Sequence, residues 1–349
     1  MVRLKDLLLD ASRPLSTKER GAFEARRGRL YGQFGESAAN ATNALSDHFG
    51  APGLLSGEGL RIRSPFCYLT KPIPEDEASD RRAPKRNLRP PATMIASSKG
   101  AALRLYLTAL AAAQIKNRPG RRATLDIPLA SFSQEWGWND IVAAPAVASG
   151  RGRTGSSIRD KKARTLAAAL DTLEEAKLVD LPGMPGRRGR HEGFSLLDES
   201  GWQRGGDPLP YVVPFKNEHY FTLPVEFVTA GWLHVLEDSE ITLLLMTACG
   251  RGSLTAVGDD RDIAEGEVAV PGDIRLRHYG IHRDPFSSAR KTLEWFGLLG
   301  VREVGRHEDG RAEDAGLRLH RLSLLHDGFE SPALDVVRET IDHQLGRPA

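Results

Sequence analysis

Only two cysteines, Cys67 and Cys249, occur in the 349 residues. Lying 182 positions apart, they supply neither a disulfide framework nor the CxxC spacing of a zinc site, and they read as inert thiols in a reducing compartment. Long apolar runs are missing too. The longest, residues 241–249, spans about nine positions with Thr242 and Thr247 inside it, against the roughly 18 needed to cross a bilayer. Arg3 and Lys5 sit near the start, but Asp10 cuts the following run before a signal-peptide core can form. The expectation is a cytoplasmic protein with no membrane partner. Charge of one sign is not in excess either: 48 Lys and Arg face 46 Asp and Glu, a net charge of +2. Affinity for a polyanion must therefore come from uneven placement of the cations. What is present is apolar material, 40% of residues, enough for two or three packed cores in a chain of this length.

Residues 1–97 read as an N-terminal extension. Short apolar clusters alternate there with Gly, Ser and Asn, and residues 71–93 carry Pro72, Pro74, Pro84, Pro90 and Pro91. Such a stretch buries too little apolar surface to offset its ordering entropy and is expected to be a linker. Arg81, Arg82, Lys85, Arg86 and Arg89 form an acid-free run within it, either a DNA-tracking arm or a solvated linker.

From residue 98 helical periodicity sets in, with Leu103, Tyr106, Leu107, Leu110 and Ala111 on one face and a stop before Pro119-Gly120. A strand is expected over 123–127, then a helix over 129–136 with Phe132 and Trp136 inward and Gly137 as its stop. A Gly- and Ala-rich loop reaches residue 157. A long helix over 158–177 carries Leu166, Leu170 and Leu173, and a hairpin follows with a basic, Gly-rich tip over 182–193. A second unit, residues 211–328, repeats this order: strand 220–223, helices 224–232 and 239–249, strand 268–270, helix 271–279, long helix 284–298, and hairpin strands 301–304 and 317–325. At an offset of 120, Ala169, Thr172, Leu173, Glu174 and Leu178 meet Ala289, Thr292, Leu293, Glu294 and Leu298. Residues 329–349 close the chain with a helix that turns Leu334, Val337 and Ile341 inward.

Helix, short strand, helix, tight turn, longer helix and two-stranded hairpin is the winged helix-turn-helix plan. The fold expected is thus mainly α with small β wings (α+β), as two tandem winged helix-turn-helix domains, 98–200 and 211–328. In that plan the long helix enters a major groove and the hairpin lies along the backbone. The first long helix opens with Arg159, Lys161, Lys162 and Arg164 against the single acid Asp160. Arg151 and Arg153 before it, and Arg187, Arg188, Arg190 and His191 in its hairpin, add charge. In the second, Phe286, Ala289, Leu293 and Phe296 face inward, which turns Asp284, Ser287, Ser288 and Lys291 outward with Arg290 beside them; Arg283 precedes the helix. Small hydroxyls and cations suit phosphate and base-edge contact. The plainer alternative makes them the wet side of an amphipathic helix. The second hairpin tip bears Glu308, Asp309, Glu313 and Asp314, which suits a protein partner better than DNA.

Phe221-Thr222-Leu223-Pro224, Gly231-Trp232, the helix from Glu240-Ile241 to Leu245, Arg277-His278-Tyr279-Gly280-Ile281 and the run from Ala289 to Leu299 together resemble the DNA-binding core of RepA-type plasmid replication initiators with tandem winged helices, as found on actinobacterial plasmids. The resemblance spans roughly residues 98 to 325. It implies a plasmid- or nucleoid-associated protein, monomer or dimer, that binds direct repeats in double-stranded origin DNA and recruits host replication proteins such as a helicase loader or helicase. It places DNA contact on Arg159, Lys161 and Arg164 and on Ser287, Ser288 and Lys291. The Gly-rich insertion over 139–157 and the acidic second hairpin depart from a compact winged helix. A transcriptional regulator would use the same groove chemistry, and a winged-helix scaffold for protein assembly would present the same element order.

Enzymatic readings find less support. Gly150, Gly152 and Gly155 match GxGxxG, but no buried strand precedes them, and no Lys-Ser or Lys-Thr follows as a phosphate-binding loop requires. No His-x-His occurs for a nicking metal site. His278 with His282, and His320 with His326, read as solvated or phosphate-contacting rather than as metal ligands. No catalytic residue, no metal and no cofactor is expected.

Overall fold

A capping box opens the first ordered element. Ser16 and Glu19 exchange hydrogen bonds, Glu19 N–H to Ser16 Oγ at 3.4 Å and Ser16 N–H to Glu19 Oε2 at 2.8 Å, which satisfies amides that the first turn leaves free. The computed structural model describes residues 15–49, 59–97, 100–130, 136–144, 158–187, 189–216, 218–254, 263–303 and 320–347. Along the chain run α1 (Thr17–Tyr31), α2 (Gln33–Phe49), β1 (Leu60–Arg63), α3 (Pro91–Ile95), α4 (Ala102–Lys116), α5 (Trp138–Ile141) and α6 (Ile158–Glu175). Then follow β2 (Val179–Asp180), β3 (Ser195–Leu196), β4 (Tyr220–Leu223), α7 (Glu226–Thr229), α8 (Trp232–Val235) and α9 (Asp238–Cys249). The chain ends in α10 (Gly272–Arg277), α11 (Arg283–Trp295), β5 (Leu299–Glu303), β6 (His320–Leu324), α12 (His326–Phe329) and α13 (Ala333–Gly346). The result is a mainly helical α+β fold, with β1–β4, β2–β3 and β5–β6 as antiparallel pairs.

The helices form where the apolar pattern demands. α4 buries almost its whole circumference, from Ala102 to Gln114, because nearly every position is Ala, Leu or Tyr, and such a helix is stable only inside a core. α6 buries Leu166, Leu170 and Leu173 along one stripe, α11 buries Ala289 and Leu293, and α13 buries Val337 and Ile341 with Leu334 half-covered.

The repeat is visible in hydrogen bonds as well as in sequence. After α6, Lys177 turns left-handed at φ 57°, and Leu178 N–H reaches Leu173 O at 2.9 Å while Lys177 N–H reaches Glu174 O at 2.9 Å. After α11, Gly297 does the same at φ 72°, with Leu298 N–H to Leu293 O at 2.9 Å and Gly297 N–H to Glu294 O at 3.0 Å. Both are Schellman closures. Each hands the chain to a hairpin whose return strand donates to the same point, Leu197 N–H to Leu178 O and Leu325 N–H to Leu298 O. Extended segments between the earlier helices join these hairpins: Val268 bridges Leu322 directly, and Arg122 bridges Val212, which leads to the Leu197–Pro210 bridge.

Three expectations need correction. Residues 15–97 are not a loose extension: α1 packs on α2 and α13, and α2 packs on α5, α7 and α8. Gly231 shows how close α2 comes. It sits at φ 88°, and a Cβ there would lie 2.7 Å from Thr42 Oγ1, so only glycine fits. The proline-rich stretch is ordered because its extended backbone finds distant partners, Leu69 N–H on His278 O at 2.8 Å and Ile73 N–H on Arg277 O at 2.9 Å. Its ordering entropy is offset by a core it borrows rather than builds, and apolar packing runs without a break from Leu15 to Ile341. Of the helix expected over 129–136, residues 131–135 lie outside the described set, Leu129 and Ala130 are not helical, and Trp136 is exposed. Trp138 takes the inward place against Phe194, with ring centroids 5.2 Å apart, and Gly137 starts α5 rather than stopping a helix. The strands expected over 123–127 and 268–270 do not form: the first has a bridge only at Arg122 just before it, and the second a single bridge at Val268.

Among the described residues no helix is long and apolar enough to cross a membrane, and no group of three or more His, Cys, Asp or Glu is placed to hold a metal ion.

Candidate nucleic-acid interface

α6 leaves one stripe at the surface: Asp160, Arg164, Ala168, Asp171 and Glu175, spaced as one face of a helix requires. Its cation lies toward the N-terminal half and its acids toward the C-terminal end. Arg164 also borders a groove of about 600 Å³ between α6 and the chain leading into α4, lined by Arg86, Ala96, Ser97, Gly100 and Ala168. Small side chains leave the backbone accessible there, and the two arginines make the groove electropositive.

The hairpin after α6 is fastened to the helix by cations that the sequence assigns to DNA. Arg190 Nε lies 3.4 Å from Asp171 Oδ1, its Nη2 bonds Glu174, and its Nη1 donates to Gly183 O at 2.7 Å, leaving the residue 9% exposed. His191 Nε2 also meets Asp171 Oδ1, at 2.9 Å. These two are structural fasteners in this conformation, because acids at i and i+3 on α6 face the incoming hairpin. Arg187 stays exposed at the tip. Lys161 is half-exposed, whereas Lys162 turns inward: burial lowers its pKa below the usual lysine range, against the opposing pull of Asp140. Arg151, Arg153, Arg188 and the Arg159 side chain lie outside the described residues.

The second long helix is partly covered. Side chains of α1 reach its C-terminal half: Lys291 Nζ sits 3.1 Å from Glu19 Oε1, Phe23 packs on Trp295 with ring centroids 5.7 Å apart, and Arg26 Cζ lies 5.1 Å over the Phe296 ring. Burial pushes the Glu19 carboxyl up, but hydrogen bonds from Ser16 and Lys291 outweigh it and hold the pKa down to about 2. Ser288 lines a small cleft with Phe23, Arg26 and Glu237. Arg290 is buried at 7% exposure because it falls on the core side of the helix, beside Ala289 and Leu293. Ser287 is half-buried, while Arg283 and Asp284 at the start of the helix, and Ser288 beside that cleft, stand exposed as the sequence expects. The assignment of Arg290 and Lys291 to an open groove-reading face is therefore corrected, and the cause is an N-terminal helix that the sequence reading leaves as a loose extension. The acidic tip of the second hairpin lies outside the described residues.

Cations outside the expected helix and hairpin set join the first unit. Arg86 is held by Met94 O at 2.8 Å and lies 3.8 Å from Glu175 at the end of α6, which places Arg86 beside the helix, while Arg81, Arg82 and Lys85 of the same run are exposed to solvent. Arg118, Arg121 and Arg122 are exposed on the turn after α4, and Arg122 borders a groove against Phe194, Ser195 and Leu196. The signal was present: three arginines without an acid around Pro119-Gly120.

A buried titratable group completes the picture. His234 of α8 is fully buried, and neither ring nitrogen has a hydrogen-bond partner among the described residues. Burial, with Arg104 and Lys162 nearby, pushes its pKa down to about 3, so the ring is neutral inside the core. No family model, no curated protein and no solved structure matches the chain.

Proposed function

We propose that this protein is a sequence-specific double-stranded DNA binder built on two winged-helix units, and that it acts as a plasmid replication initiator of the RepA type. What supports the reading is the twice-built arrangement of helix, bridging segment, short helix, long helix and hairpin, closed by matched turns at Lys177 and Gly297. The observation that carries it furthest is the contrast between the two long helices. α6 keeps a surface stripe with Arg164 in its N-terminal half, with Arg86 at the same groove and Arg187 exposed in its hairpin, while on α11 the one lysine of the outward face, Lys291, is held by Glu19 of α1. In this conformation the first unit reads the major groove and the exposed arginines set register on phosphates. The second unit braces α1 and orients the first.

The test is binding of the purified chain to DNA flanking its own gene, against scrambled DNA, by fluorescence anisotropy at about 50 and about 200 mM salt. Selective binding that falls by about 10³ or more across that range is expected for six or more phosphate contacts. Equal affinity for both DNAs, or none, contradicts the reading. A scaffold role in protein assembly is favoured by one observation, the pairing of Lys291 on α11 with Glu19 of α1, and predicts tight binding to a protein partner without DNA selectivity.

A further inference from the structure

The two cysteines, far apart in sequence, meet in the fold. Cys67 follows the short 3-10 turn Ser64–Phe66 after β1, and Cys249 is the last residue of α9. Each thiol lies close enough to the other to shift its proton affinity. Cys67 Sγ also lies 3.8 Å from Leu245 O, one helical turn before Cys249, and 3.7 Å from Ser64 O. Around them stand Tyr279, whose hydroxyl donates to Arg251 O at 2.8 Å, and Tyr68, stacked on His278 at 4.9 Å with Arg251 Cζ 6.0 Å from its ring. Cys67 is buried and Cys249 is half-buried.

We propose that Cys67 and Cys249 are a redox modification site, a dithiol that a peroxide converts to an intramolecular disulfide, with Cys249 as the attacking sulfur and Cys67 as the resolving one. The asymmetry in environment supports the division of roles. The neighbouring Cys67 thiol, offset by burial but reinforced by the Arg251 amide, lowers the Cys249 pKa to about 6, whereas burial raises Cys67 well above the ordinary thiol range. A thiolate near neutral pH beside a protonated thiol is the arrangement that redox-sensing pairs use. The Cys249 thiolate attacks one peroxide oxygen and breaks the O–O bond, giving a sulfenic acid and hydroxide, which takes a proton to become water. The Cys67 sulfur then attacks the sulfenic sulfur. The S–O bond breaks, and the leaving hydroxide takes the Cys67 proton as a second water. One dithiol and one hydrogen peroxide become one disulfide and two waters. The bond would tie the turn after β1 to the end of α9, and so fix the N-terminal segment to the second unit.

The full chain is to be treated with a small excess of hydrogen peroxide, digested without reductant and mapped by mass spectrometry. The expected result is a loss of about 2 Da, a single cross-linked pair of peptides bearing Cys67 and Cys249, and reversal by dithiothreitol. In Cys67→Ser the reaction should halt at a Cys249 sulfenic acid that dimedone traps. In Cys249→Ser the remaining thiol should stay unmodified, with circular dichroism showing both variants folded. Iodoacetamide labelling of Cys249 in the untreated chain should be half-maximal near pH 6. A native chain that stays reduced while the urea-unfolded chain oxidises, a disulfide only between chains, or Cys67 reacting before Cys249 would overturn the proposal.

Discussion

Substituting Arg26 tests whether α1 is part of the core or an appendage. Its guanidinium donates to Glu240 Oε1 at 2.6 Å and to Glu240 Oε2 at 2.9 Å, with Arg26 5% and Glu240 2% exposed. A bidentate pair removed from water repays its desolvation only while both members are present. Arg26→Ala leaves the Glu240 carboxylate buried with only the Glu237 amide, at 2.8 Å, as partner. The expected cost is about 3–5 kcal/mol, a third or more of the roughly 5–15 kcal/mol that folded chains possess. Replacing both members, Arg26→Ala with Glu240→Gln, removes the stranded charge and should bring the loss down to about 1–2 kcal/mol. The coupling in the double-mutant cycle should then exceed about 2 kcal/mol. Urea unfolding followed by far-ultraviolet circular dichroism measures all four corners. An Arg26→Ala cost under about 1 kcal/mol, or a double variant no better than the sum of the singles, would show that α1 does not seat its arginine on α9.

His234 predicts a pH dependence with a defined sign. Its folded pKa of about 3 lies below the ordinary 6.5, so above that ordinary value neither state binds the proton and the histidine contributes nothing. As pH falls below it, only the unfolded chain takes up the proton, and stability drops by about 1.4 kcal/mol per unit until the folded pKa is reached. Between about pH 7 and about pH 5 the wild type should lose about 2 kcal/mol more than His234→Leu; parallel curves would contradict the buried neutral ring. Lys177→Gly, at a left-handed position where the second unit already has Gly297, should stabilise by about 0.5–1 kcal/mol in the same urea assay, and a loss would mean the turn is not left-handed in solution.

How far the fold could be read from the sequence depended on whether a pattern was locally closed. α4, α6, α11 and α13 were legible because their apolar residues recur at helical spacing within one element. The repeat at offset 120 was legible because both units bury a leucine before and a leucine after the closing turn, Leu173 with Leu178 and Leu293 with Leu298. α1 was not. It buries only Phe23, Arg26 and Leu30, a narrow stripe with a charge in its middle, and the partner of that charge lies 214 positions away. The Ser16-x-x-Glu19 capping box was the one local sign of a helix there. The proline-rich stretch misled for the same reason, since its backbone partners are Arg277 and His278. At the candidate interface, cation counts located the basic regions but not which cations are consumed internally. Arg190 and Lys291 read as free surface charge until Asp171, Glu174 and Glu19 arrive from other elements.

The most direct test of the DNA-reading account compares two charge changes on the same DNA. With the fragment flanking the gene at about 50 mM salt, Arg164→Glu should weaken binding by about tenfold or more and flatten the salt dependence by about one unit of slope. Lys291→Ala, whose side chain is held by Glu19, should leave affinity within about twofold and instead cost stability of about 1 kcal/mol or less. The reverse pattern, binding that survives Arg164→Glu but is lost with Lys291→Ala, would contradict the assignment of α6 as the reading helix.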